Sequence, residues 1–184
     1  MNNDELTIKK QEEFDIEKAK FKRAFLNYFR LILQRYTHYE ELVENRKSQD
    51  EICAYSDLLV VHLRALLIEN PKYKKNYTLQ NFLHKMGRDD LVNDLNNFLS
   101  HPIYDEWDLS LKTFIKIQAD EFICHHDNVE TGAKADQALE SWFTAYLSNF
   151  NNEYCMKNIM IKLFNFIKES IESTTNSNCL NYED

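Results

Sequence analysis

The chain has 184 residues, enough for one well-formed core and, by length alone, a single domain. Its 22 Lys and Arg against 30 Asp and Glu leave a net charge of −8, which excludes a broadly electropositive nucleic-acid binder, since that needs surplus cations to displace counterions. Only 2 Gly and 2 Pro stand beside 43% apolar residues, which excludes a turn-rich β architecture and predicts an all-α helical bundle of about five to seven helices.

Residues 1 to 12 are polar and charged and are expected to fray or merely extend the first helix. From Phe14 onward, Phe21, Phe25, Tyr28, Ile32, Tyr36 and Tyr39 recur at spacings of four and three, the mark of one helical face. Lys18, Lys22, Arg23, Arg30 and Arg35 with Glu17, Glu40 and Glu41 fill much of the rest. That charged face reads as solvated, with a coiled-coil seam to a second subunit as the sharper alternative.

A polar interval from Glu44 to Asp50 precedes the most apolar helix, roughly Ile52 to Glu69. Apolar around most of its circumference, it is expected to be central. His62 and Arg64 interrupt it; a core histidine and a snorkelling arginine are the ordinary readings, and both are candidates to meet a polar cluster elsewhere. Asn70-Pro71 ends this helix, because the residue before proline avoids the helical region. Lys72-Tyr73-Lys74-Lys75-Asn76-Tyr77 interleaves basic and aromatic side chains, which fits either a solvated loop or RNA contact.

Thr78 is suited to cap a short helix from Leu79 to Met86, closed by Gly87, and a second short helix is expected from Asp89 to Leu99 before His101-Pro102 breaks it. After a linker, Ile103 to Glu106, a helix is predicted from Trp107 to about Asp127, with a loop signalled by Asn128, Thr131 and Gly132. One helix or two should follow from about Lys134 to Ile171, carrying Leu139, Trp142, Phe143, Tyr146 and Phe150, then Ile159, Met160, Leu163 and Ile167. The expected domain is thus 1–172, with 173–184 a poorly ordered Ser/Thr/Asn-rich tail. The scattered cysteines Cys53, Cys124, Cys155 and Cys179 read as reduced thiols, and no basic-then-apolar leader or membrane-length apolar run is present, so a soluble cytoplasmic protein with no membrane association is expected.

Polar residues crowd into the apolar pattern at Gln118-Ala119-Asp120-Glu121-Phe122-Ile123-Cys124-His125-His126-Asp127. At 100° per residue, Leu111, Ile115 and Phe122 share a line, Gln118 lies near it, and His125 and His126 flank it. Three chemistries compete for this stretch. A metal site is disfavoured because adjacent helical residues diverge by about 100°, whereas ligand pairs sit three or four apart, so neither metal nor other cofactor is expected. Histidines that end a helix and meet its dipole are a second reading. The third is acid–base chemistry, with a histidine near neutrality moving a ribose proton and Asp120 or Asp127 orienting it.

The stretch from Ala119 to Asp127 resembles the helix-terminal motif of HEPN domains, small all-α proteins of prokaryotic toxin–antitoxin, abortive-infection and related phage-defence systems, many of them metal-independent ribonucleases. In that family the motif reads Arg-Asp-Lys-aliphatic-aliphatic-Ala-His-x-Asp, and Asp120, Phe122-Ile123, Cys124, His125 and Asp127 match it in order. The resemblance extends over about residues 50 to 130 through Leu63-Arg64-Ala65-Leu66-Leu67 and Thr78-Leu79-Gln80-Asn81-Phe82-Leu83. It implies His125 as the catalytic histidine with Asp120 and Asp127 as its positioning carboxylates; Arg64, His126 and Gln118 are the candidate substrate contacts. It also implies a homodimer with a composite cleft, an RNA substrate and an antitoxin or other protein partner. The chain departs from the pattern where the family places arginine, at Ala119, and where it places lysine, at Glu121. Arg64 or a partner subunit would have to supply that cation. A catalytically inactive helical interaction module of the same fold is the alternative reading.

Overall fold

The computed structural model describes residues 3–69, 76–104, 109–123 and 154–179. Helix α1 (Asn3–Glu44) runs for 42 residues, about 60 Å at 1.5 Å per residue. Its buried face is Phe21, Phe25, Phe29, Ile32, Tyr39 and Leu42, while Tyr28 and Tyr36 sit half-buried at its edge. The predicted helical face is therefore borne out from Phe21 onward. Phe14, 60% exposed, does not belong to it, and residues 6–17 are exposed all round.

A tight turn follows in which Arg46 adopts φ 51°, a left-handed conformation uncommon for a side chain other than glycine. Helix α2 (Gln49–Leu67) then begins at a reciprocal cap. The Ser48 hydroxyl accepts from the Glu51 N–H at 3.3 Å, and the Glu51 carboxylate accepts from the Ser48 N–H at 3.3 Å. Because this cap satisfies amides that would otherwise lack partners, the helix starts earlier than the predicted Ile52. Leu59, Val60, Leu63, Leu66 and Leu67 are buried on α2, as its apolar circumference required.

Helix α3 (Leu79–Met86) has the predicted boundaries. Thr78 caps it by accepting from the Asn81 N–H at 3.2 Å, and Gly87 ends it at φ 74°, where the missing side chain removes the steric penalty of left-handed backbone. Phe82 stacks on Phe25 of α1 with ring centroids 4.1 Å apart. Helix α4 (Asp89–Ser100) buries Leu91, Val92, Leu95 and Leu99. Arg88 ties its start to the last helix by donating to the Glu169 carbonyl at 2.8 Å.

Between α4 and the next helix the chain forms a short antiparallel ladder, β1 (Pro102–Tyr104) with β2 (Leu109–Ser110), Pro102 opposite Ser110. The described residues are otherwise overwhelmingly helical, in agreement with the all-α expectation. The helix predicted from Trp107 begins instead at Leu111, because Ser110 is still paired as strand and its hydroxyl caps the helix by accepting from the Thr113 N–H at 3.2 Å. Helix α5 (Leu111–Ile117) passes directly into a π-helical turn, Gln118–Ile123. Its wider i→i+5 bonding turns each residue by less than 100°, so the backbone from Gln118 to Ile123 departs from the regular α-helix that was expected there.

Helix α6 (Met156–Cys179) closes the core with Met156, Ile159, Met160, Leu163, Phe166 and Ile167. It continues helically past Ser173 to Cys179, where a poorly ordered tail was expected. Once the packed turns are nucleated, adding further turns costs little even for Ser and Asn. The predicted segment from Lys134 to Phe150 and the loop at Asn128 to Gly132 lie outside the described residues. No helix among the described residues is long and apolar enough to cross a membrane.

Candidate functional site

Positions 62 and 64 of α2 lie about 200° apart on a helix, so their side chains leave in nearly opposite directions. Arg64 goes to the π-helical turn. Its Nε donates to Asp120 Oδ1 at 2.7 Å and its Nη2 to Asp120 Oδ2 at 3.4 Å. The side chains are 33% and 28% exposed, so this ion pair sits at the edge of the core with partial access to water. The residues on either side of its acidic partner fix why it forms. Ala119 is fully buried, Gln118 is 5% exposed, and Phe114 and Ile115 are buried one turn earlier. With that face of α5 committed to the interior, the widening turn delivers Asp120 to the flank where Arg64 emerges.

At Ala119 a long cationic side chain would be enclosed in the interior, where an unpaired charge is costly. The guanidinium of Arg64 is set against the next residue of the turn, Asp120. Of the sequence-derived candidates, Arg64 and Asp120 are thus brought together, while Gln118 lies in the interior beside Ala119. His125, His126 and Asp127 lie outside the described residues, as does Cys124 of the same stretch.

His62 does not join this cluster. It faces α1, where its Nδ1 lies 3.1 Å from the Tyr28 hydroxyl and the two rings meet edge to face with centroids 5.8 Å apart. Its Nε2 is buried and has no hydrogen-bond partner among the described residues. Burial, with the Arg35 charge adding to it, holds the His62 imidazole below its ordinary range. Burial also raises the Tyr28 hydroxyl, Glu69 adding to the effect and Arg35 opposing it. Both groups are accordingly neutral at pH 7, and the pair links α1 to α2 without carrying charge.

Farther along α1, Tyr36 donates to the Glu40 carboxylate, and burial followed by that carboxylate strongly raises its hydroxyl. Burial likewise pushes Tyr39 up to about 12. Sequence reasoning assigned these tyrosines to the core face without foreseeing their polar ends. The spacing Tyr36-x-x-x-Glu40 was the available signal, since residues four apart meet on a helix. Of the basic and aromatic segment before α3, the described Tyr77 sets its ring 5.2 Å from that of Phe21, a packing role.

No protein-family model, curated protein or solved structure matches this chain.

Proposed function

We propose that this chain is an HEPN-like protein of a prokaryotic defence or toxin–antitoxin system that cleaves RNA without a metal ion. The observation that carries the reading is the Arg64–Asp120 ion pair, which sets a guanidinium beside the turn leading to Cys124-His125-His126-Asp127. In the proposed reaction His125 accepts the proton of a ribose 2′-hydroxyl as its oxygen attacks the adjacent phosphorus. The bond from phosphorus to the 5′-oxygen breaks, and a proton donor in the cleft protonates that leaving oxygen. The products are a 2′,3′-cyclic phosphate and a 5′-hydroxyl. Arg64 stabilises the charge gathering on the phosphate oxygens, Asp127 orients His125, and His126 contacts the substrate. Asp120 holds Arg64. A homodimer in the cytoplasm, regulated by an antitoxin or similar protein, is the setting this reading implies.

The test is incubation of a 5′-labelled single-stranded RNA with the purified chain in excess EDTA. Wild type should yield cyclic-phosphate ends, and His125→Ala should lose at least about a hundredfold in rate while keeping its helical circular dichroism. Equal cleavage by the two proteins would remove His125 from the reaction. A second reading, a non-catalytic interaction module of the same fold, draws support from Ala119 occupying the arginine position and from Asp120 offsetting the charge of Arg64. It predicts no RNA cleavage by either protein and recovery of a specific protein partner by affinity capture.

A further inference from the structure

Helices α1 and α6 leave an open groove of about 380 Å³ between them. Leu26, Phe29 and Leu33 line it from α1, and Phe164, Ile167 and Ile171 from α6. Each set has the i, i+3, i+7 spacing of one helical stripe, and in each the i+4 place is a cation, Arg30 on α1 and Lys168 on α6. Two helices packed along such stripes would bury all six apolar side chains. Here Phe164 is 49% exposed, and Leu26, Leu33 and Ile171 are only half-buried. The groove is an unfilled helix-packing surface bordered by two exposed cations.

The same chain carries a helical arm that the described residues leave uncovered. Residues 6–17 of α1 are exposed all round, although a helix of about 12–15 residues is only marginally stable in water without packing. Carried back along α1 at heptad spacing, the groove-lining places of Leu26, Phe29 and Arg30 return at Glu12, at Asp15 and Ile8, and at Ile16. Ile8 and Ile16 are 60% and 54% exposed, with the two carboxylates between them. The arm thus offers apolar side chains and negative charge to a groove that is apolar and bordered by positive charge. It cannot fill its own groove, because positions 12 and 30 of one continuous helix stand about 27 Å apart along its axis. We propose that two copies of this chain pair about a two-fold axis, the arm of each lying antiparallel in the α1–α6 groove of the other. With Glu12 of one copy opposite Arg30 of its partner copy, Ile16 falls opposite Leu26 and Ile8 falls within one residue of Leu33, since the spacings match on the two helices. Among the described residues neither Glu12 nor Arg30 forms an ion pair within its own chain, so both charges are available across the interface. Lys168 lies 3.9 Å from Glu172 of its own helix and adds less. The ribonuclease reading implies a pair of subunits without naming the surfaces that meet. This inference stands on the groove and the arm alone, so RNA cleavage by a chain whose arms do not pair would leave that reading in place.

The experiment is sedimentation equilibrium of the purified full chain over about 1–100 µM, where wild type should form a dimer. Ile8→Asp/Ile16→Asp, Glu12→Arg and Arg30→Glu should each weaken dimerisation at least about tenfold. All four positions are exposed, so the helical circular dichroism of the variants should match wild type. Glu12→Arg/Arg30→Glu exchanges the two charges and should return dimerisation to within about threefold of wild type, a recovery that damage to the fold cannot produce. Wild type that stays monomeric at about 100 µM would overturn the proposal. A dimer that none of the arm variants weakens would overturn it as well, as would a charge exchange that fails to restore pairing.

Discussion

Removing the Arg64–Asp120 pair tests both the fold and the proposed chemistry. One of its hydrogen bonds is short at 2.7 Å and the other long at 3.4 Å, and about a third of each side chain reaches solvent. Exposed ion pairs contribute about 0.2–1 kcal/mol and a charge-assisted hydrogen bond about 1.5–3 kcal/mol, so a partly exposed, asymmetrically bonded pair should couple by about 1–2 kcal/mol. For a chain of this size that corresponds to a fall of about 3–6 °C in Tm. Urea midpoints for wild type, Arg64→Ala, Asp120→Ala and the double variant form a cycle that isolates the coupling. A coupling indistinguishable from zero would refute the claim that the π-helical turn is tied to α2 through these side chains. The same four proteins separate the catalytic roles. If Arg64 serves the phosphate and Asp120 serves Arg64, Arg64→Ala loses about a hundredfold in RNA cleavage and Asp120→Ala much less. The reverse order would return Asp120 to the histidine.

Other expectations follow from individual environments. Ala119→Arg should destabilise by about 3 kcal/mol or more, because it forces a cation into a fully buried position; an unchanged melting curve would show that the site can open. Ser48→Ala removes the capping box of α2 and should cost about 1 kcal/mol, read as a lower urea midpoint with an unchanged m-value. His62 is held below its ordinary value of 6.5 in the folded state, so as pH falls the unfolded chain takes up that proton first. Its contribution is fully present above about 6.5 and declines as pH drops toward the folded-state value. His62→Gln should lose less stability than wild type between pH 7.5 and pH 5, and identical pH profiles would sink the assignment.

The sequence was most informative where local chemistry and core burial agree. Thr78 and Gly87 bracket α3 because a cap acceptor and a left-handed C-terminal residue are written in residue types, and tertiary packing has nothing to overrule. The face from Phe21 to Tyr39 was legible for the same reason, since a 3.6-residue period survives any arrangement of neighbours. The missed start of α2 was equally written, in Ser48-x-x-Glu51, but concealed within a polar interval that resembles a loop. The opening of α5 was not legible, because the pairing of Pro102 with Ser110 is a contact across a turn rather than a local propensity. Nor was the π-helical turn, which no residue type specifies. His62 and Arg64 could be singled out as polar interruptions of an apolar helix, yet their destinations on opposite sides depend on which helices pack there.

The π-helical turn also bears on how a cation could serve a stretch that has none of its own between Lys116 and His125. With Ala119 fixed in the core, a regular α-helix would determine the bearing of Asp120 from the 100° step alone, whereas the wider turn alters that bearing and sets its carboxylate against Arg64. The pair engages two of the five N–H donors of the guanidinium, along its Nε and Nη2 edge. A phosphate approaching the Nη1 side would therefore meet a guanidinium already oriented, and would not have to displace Asp120 to bind it. Holding the fork still in advance lowers the entropy lost on substrate binding, while a nearby carboxylate weakens the attraction between cation and phosphate. Those opposing effects make Asp120→Ala the informative variant. Tighter RNA binding with slower cleavage would mean that Asp120 contributes orientation, and tighter binding with faster cleavage would mean that it restrains an otherwise competent arginine.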